Sequence, residues 1–142
     1  MIDTSRPKKF HLNCLLCGNQ NSWSQGMQFY AADDGWVYGS FQSNAKLQGY
    51  DGIMHGGVIT ALLDAVMTNC LFYHDIQAVT ADLQVRFLRP VPCDSMVNLR
   101  ARVLSTRSIL HHVKAELMCE KQIMARAEAR FMQQRPSSAG GV

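Results

Sequence analysis

From Gly52 to His74 the chain carries one charged side chain, Asp64, apart from its histidines. Around it stand Val58, Ile59, Ala61, Leu62, Leu63, Ala65, Val66, Met67, Leu71 and Phe72, apolar at nearly every angle of a helical wheel. That pattern predicts a buried helix over 57–73. The stretch approaches the ~20 residues of a membrane span. Thr60, Asp64, Thr68 and Asn69 interrupt it, however, and a midplane Asp is penalised by roughly 3 kcal/mol on insertion scales. A globular core helix is the better reading. Upstream, strands are expected over 27–32 and 36–42, joined by the turn signal Asp33-Asp34-Gly35. Downstream, longer strands are expected over 77–89, 95–106, 109–120 and 123–133. In the first of these, Val79, Ala81, Leu83, Val85 and Phe87 alternate with Thr80, Asp82, Gln84 and Arg86, a period of two. Pro90 and Pro92 end the run. Two strands, one helix and four strands make an α+β order: a curved antiparallel sheet wrapped around one long central helix. A second subunit could supply the cover that the sheet does not.

The 142-residue length suits a single domain. Residues 1–26 read as an irregular segment, 27–134 as the domain and 135–142 as a flexible tail. A formal net charge of +3 is too mild to argue for nucleic acid. No apolar run follows Lys8, Lys9 and Phe10, so no secretory leader is expected. Five unevenly spaced cysteines fit reduced thiols and a cytoplasmic location. The eight methionines suit irregular core packing.

An unpaired carboxylate inside an apolar helix costs several kcal/mol in order of magnitude unless it is paired, protonated or set at a cavity. The competing account is structural, an Asp held by backbone or by a distant arginine. Against that account, the glycine-rich stretch Gly52-Ile53-Met54-His55-Gly56-Gly57 enters the same helix. Together the two features predict an active site.

The run Gln48-Gly49-Tyr50-Asp51-Gly52-x-x-His55-Gly56-Gly57, followed by Leu62-Leu63-Asp64, resembles the hotdog-fold acyl-CoA thioesterases of the PaaI type. Thr80-Ala81-Asp82-Leu83 and Phe87-Leu88-Arg89-Pro90-Val91 resemble that family's strand after the helix, and Cys14-x-x-Cys17-Gly18 recurs in some relatives. The resemblance implies hydrolysis of an acyl-CoA thioester to a free acid and coenzyme A. Asp64 would act as general base or nucleophile, and Thr80 would orient water or carboxylate. Gly57, supported by His55 and Gly56, would offer backbone N–H groups to the oxyanion at the positive end of the helix. Gln48 and Gly49 would contact substrate, in a region where many relatives carry an Asn that this chain lacks. Gly57 and Asp64 share a helix face but lie ~10 Å apart along the axis. One carbonyl cannot be served by both, whereas two antiparallel helices across a twofold axis could pair one copy's Asp64 with the other's Gly57. A homodimer follows from that span; assembly to a tetramer is only what the resemblance implies.

No cofactor, membrane or nucleic-acid partner is expected. His11, Cys14 and Cys17 offer three metal ligands without a fourth, so the reading is no metal. His111 and His112, neighbours in a strand, must point to opposite faces. Arg86, Arg89, Arg100, Arg102 and Arg107 form either a solvated basic face or a docking surface for the phosphates of coenzyme A. Two other functions suit the fold. One is a non-catalytic binder of acyl-CoA or an aromatic ligand, which would need neither Asp64 nor Thr80. The other is a hydratase or dehydratase, disfavoured because no helical histidine accompanies Asp64.

Overall fold

The computed structural model describes residues 2–3 and 9–134, so the expected tail at 135–142 lies outside the described residues. The segment expected to be irregular contributes a short strand, β1 (Ile2–Asp3), which pairs with β2 (Phe29–Ala31). Gly35, at φ +86°, turns the chain from β2 into β3 (Val37–Gln42), a conformation side-chain-bearing residues rarely adopt. The 18-residue helix α1 (Gly56–Tyr73) follows. Then come β4 (Ala78–Phe87), β5 (Met96–Arg107), β6 (Leu110–Cys119) and β7 (Gln122–Gln133). The seven strands form one antiparallel sheet in the order β1-β2-β3-β5-β6-β7-β4. This is the α+β hotdog arrangement the sequence predicts, with α1 packed on β2 to β7.

Alternation explains how sheet and helix fit. On the inner face β5 sets Val97, Leu99 and Ala101, β6 sets Val113, Ala115 and Leu117, and β7 sets Ala125, Ala127, Ala129 and Phe131, all buried. The alanines of β7 leave room for the larger side chains of α1. Leu62, Leu63, Val66, Met67 and Cys70 of α1 are fully enclosed, each large one worth about 1.5–3 kcal/mol of burial. The β6–β7 hairpin turns on Glu120 and Lys121, at φ 50° and 66°. That geometry follows the twist of the strands, although neither residue is the glycine or asparagine that would announce it.

Two strand expectations meet different fates. His111 is buried, bonded through Nδ1 to Thr106 Oγ1 at 2.9 Å and through Nε2 to Gln133 Oε1 at 3.0 Å. His112 points the other way, 3.6 Å from Glu128. The unbroken alternation read through β4 does not hold. The register against β7 slips between Thr80, opposite Phe131, and Asp82, opposite Arg130, leaving Ala81 as an extra residue. Such a bulge reverses the phase of the strand. Thr80 therefore faces α1 together with Ala78, Leu83 and Val85, while Asp82 faces outward to Arg130 at 3.6 Å.

Candidate active site

The bulge brings the first pair of expected residues together. Thr80 Oγ1 donates to Asp64 Oδ1 at 2.6 Å, a short charge-assisted bond. Asp64 is half-buried in the single chain. Gly57, Thr60, Ala61 and Asp64, spaced along one face of α1, are all partly open in the single chain, because the sheet ends at β4. The remainder of the helix, from Ala65 to Phe72, is buried.

The second group gathers at the start of α1. His55 is the N-cap, with φ −60° and ψ 133°. Its Nδ1 accepts the Gly57 N–H at 2.8 Å, which places the ring proton on Nε2. The His55 carbonyl accepts from Val58 at 3.0 Å and Ile59 at 3.1 Å. The Gly56 N–H has no hydrogen-bond partner among the described residues. A Cβ on Gly57 would stand 3.0 Å from His55 Nδ1, so this glycine makes room for the ring, whereas one on Gly49 would meet the ring only at an ordinary 3.5 Å. Gln48 does not reach the helix. Its Oε1 accepts from the N–H of Gly52 at 2.9 Å and shapes the loop.

Gly49, Tyr50, Ile53, Met54, His55 and Gly56 line an open depression of about 310 Å³ beside the helix start. Tyr50, 87% exposed, stands at its rim. The Phe87 ring passes 3.6 Å from where a Gly56 Cβ would be. Tyr50 and Phe87 both belong to the motif runs of the sequence, which assign neither ring a role of its own.

Of the arginines, Arg100 is committed to structure, bonded to Glu116 at 2.8 Å and 2.7 Å and stacked 4.2 Å from the Trp36 ring. Arg102 lies over the same ring at 5.0 Å. Arg86 lines an outer-face depression of about 510 Å³ with Arg126 and Glu128. His11 packs beside the second half of α1, its ring 4.9 Å from that of Phe72, and Cys17 is buried in the same core. Burial lowers the His11 pKa, partly opposed by the charge of Asp64. Burial and the neighbouring Cys14 push the Cys17 thiol up to about 12.

Residues 51–125 match the family model of the thioesterase superfamily. The chain is 29% identical over 98 residues to the acyl-coenzyme A thioesterase THEM4 of Mus musculus, covering 68% of this chain and 42% of that protein. It thus spans less than half the length of that curated relative. Among solved structures, the E. coli PaaI protein of the phenylacetic acid degradation operon superposes with a TM-score of 0.72 at 18% identity, over 80% of this chain and 83% of the other. A Streptococcus mutans protein bound to acetyl-CoA gives 0.70 at 19% identity, over 76% and 88%. At these identities the two structures speak for the fold.

Proposed function

Because the chain belongs to the thioesterase superfamily, we propose that it hydrolyses acyl-CoA thioesters to free acid and coenzyme A, in a site shared by two copies. The observation that carries this reading is the Asp64–Thr80 pair, set on the stripe of α1 that its own chain leaves partly open. Thr80 holds one carboxylate oxygen, which orients the other toward a water molecule or the thioester carbon. The carbonyl oxygen docks on the Gly56 and Gly57 N–H groups at the helix start. In the general-base route, Asp64 takes a proton from water as the C–O bond forms. The C–S bond then breaks and the coenzyme A thiolate leaves, taking up a proton.

The span along α1 requires the oxyanion donors and the carboxylate to come from different copies. β4 offers the surface for that pairing, being an edge strand of ten residues with Val79 and Phe87 exposed. An open edge of this length favours pairing with another strand. The acetyl-CoA bound to the S. mutans structure and the activity named for THEM4 support coenzyme A thioesters as substrates.

One observation favours a second reading, a non-catalytic binder: His55 already occupies the Gly57 N–H. For catalysis the ring must rotate away as the substrate carbonyl arrives. The deciding experiment follows thiol release from aryl and straight-chain acyl-CoAs, with sedimentation to establish the dimer. Turnover lost in Asp64→Asn with assembly intact supports the hydrolase. Tight binding without turnover, indifferent to Asp64→Asn, establishes the binder.

A further inference from the structure

Three ligand-bearing side chains converge before β2. One atom each from His11, Cys14 and Cys17 lies within 4.8 Å of the others, and His11 Nδ1 stands 3.2 Å from Cys17 Sγ. In a tetrahedral zinc centre, with Zn–N and Zn–S bonds of about 2.0–2.3 Å, neighbouring ligand atoms lie roughly 3.5–3.8 Å apart. The His11–Cys17 separation is thus close to such an edge, and the other two pairs lie no more than 4.8 Å apart before any ion arrives.

The backbone is built to hold them there. A 3-10 turn over Lys9–His11 presents the imidazole, and its carbonyl at His11 accepts from Cys14 at 3.1 Å. The Gly18 N–H then closes the turn onto the Cys14 carbonyl at 2.9 Å, and the Leu16 N–H points at Cys14 Sγ at 3.4 Å. A Cβ at Gly18 would stand 2.4 Å from Cys14 N and 2.5 Å from Leu12 O, so only glycine permits the close return. The buried Asn69 side chain on α1 is anchored through Nδ2 on Ala65 O at 2.8 Å. An N–H aimed at a ligand sulfur is the kind of outer contact that orients metal ligands.

We propose that His11, Cys14 and Cys17 bind one Zn²⁺ per chain, with a solvent-derived fourth ligand. The spacing of the sequence offers no fourth protein ligand to this group. Three protein ligands plus water is nevertheless an accepted zinc arrangement. An open depression of about 370 Å³, lined by Phe10, His11, Leu12, Asn13 and Cys14, gives both ion and water access. Two thiols and an imidazole select a borderline-soft ion over magnesium or calcium. Loading replaces the two S–H protons, which pass to solvent as the Zn–S bonds form. The bound ion ties the N-terminal segment to the second half of α1, where the His11 ring packs against Phe72 at 4.9 Å. Nothing here depends on the hydrolytic reading.

The test uses the whole chain, purified with its thiols reduced, stripped by chelation and titrated with cobalt(II) as a spectroscopic stand-in. One equivalent should produce a thiolate-to-cobalt charge-transfer band, zinc should displace it, and zinc should raise the unfolding temperature. Cys14→Ser should weaken binding beyond the 10–100-fold typical of losing an outer contact, roughly, while Cys119→Ser leaves it intact. Circular dichroism confirms that each variant is folded. A folded, reduced wild type with no stoichiometric band would overturn the proposal. So would a band that survives Cys14→Ser, or a Cys14–Cys17 disulfide that re-forms in thiol buffer and marks a redox pair instead.

Discussion

The two halves of α1 are built on opposite principles. From Ala65 to Phe72 every residue is buried, covered by the sheet and by the segment that carries His11 and Cys17. From Gly56 to Asp64 the residues are smaller, and Gly57, Thr60, Ala61 and Asp64 leave a stripe partly open. The second half is finished by its own chain; the first is left partly open and, on the proposed reading, carries the chemistry. A helix can serve as both core and site when these demands fall on different turns.

The sharpest way to break this contrast is Asp64→Asn, which should lower thioester turnover by roughly 10²–10⁴-fold, the usual worth of a positioned acid or base. Its unfolding free energy should barely change. Met67→Ala, in the enclosed half, should do the reverse. Denaturant unfolding should show a loss of about 2–5 kcal/mol, with kcat per folded enzyme retained. Thr80→Val removes the 2.6 Å bond to the carboxylate. Its kcat/KM should fall by the equivalent of about 1.5–3 kcal/mol, as for hydrogen bonds to charged groups. The smallest effect belongs to His55→Ala, which removes the N-cap. Stability should drop by about 1 kcal/mol, and turnover should suffer far less than in Asp64→Asn. Equal losses of turnover in these two variants would mean that His55 does more than cap.

The helix, the six longer strands and the Asp64–Thr80 partnership were legible because each leaves a local pattern or a motif. Two features were not. The alternation through β4 reads cleanly as a regular strand because Ala81 is small and apolar, so nothing in its type marks it as supernumerary; only pairing with β7 exposes the slip. Which turns of α1 the chain leaves uncovered was hidden for a related reason. Apolar neighbours show that a helix wants cover on every side, not that one chain provides it. Likewise, the nearness of His11 to Cys17 arises from a turn whose tightness depends on Gly18, a constraint the spacing of the ligands does not express.

The extra residue in β4 behaves like a frameshift in side-chain space. Removing Ala81 would restore strict two-residue periodicity and still leave Thr80, Leu83 and Val85 toward the helix and Asp82 outward, so the strand carries it as an insertion that the bulge absorbs. A deletion scan through this strand should therefore find that losing Ala81 keeps the Thr80–Asp64 bond, whereas removing one residue away from the bulge turns those beyond it to the opposite face.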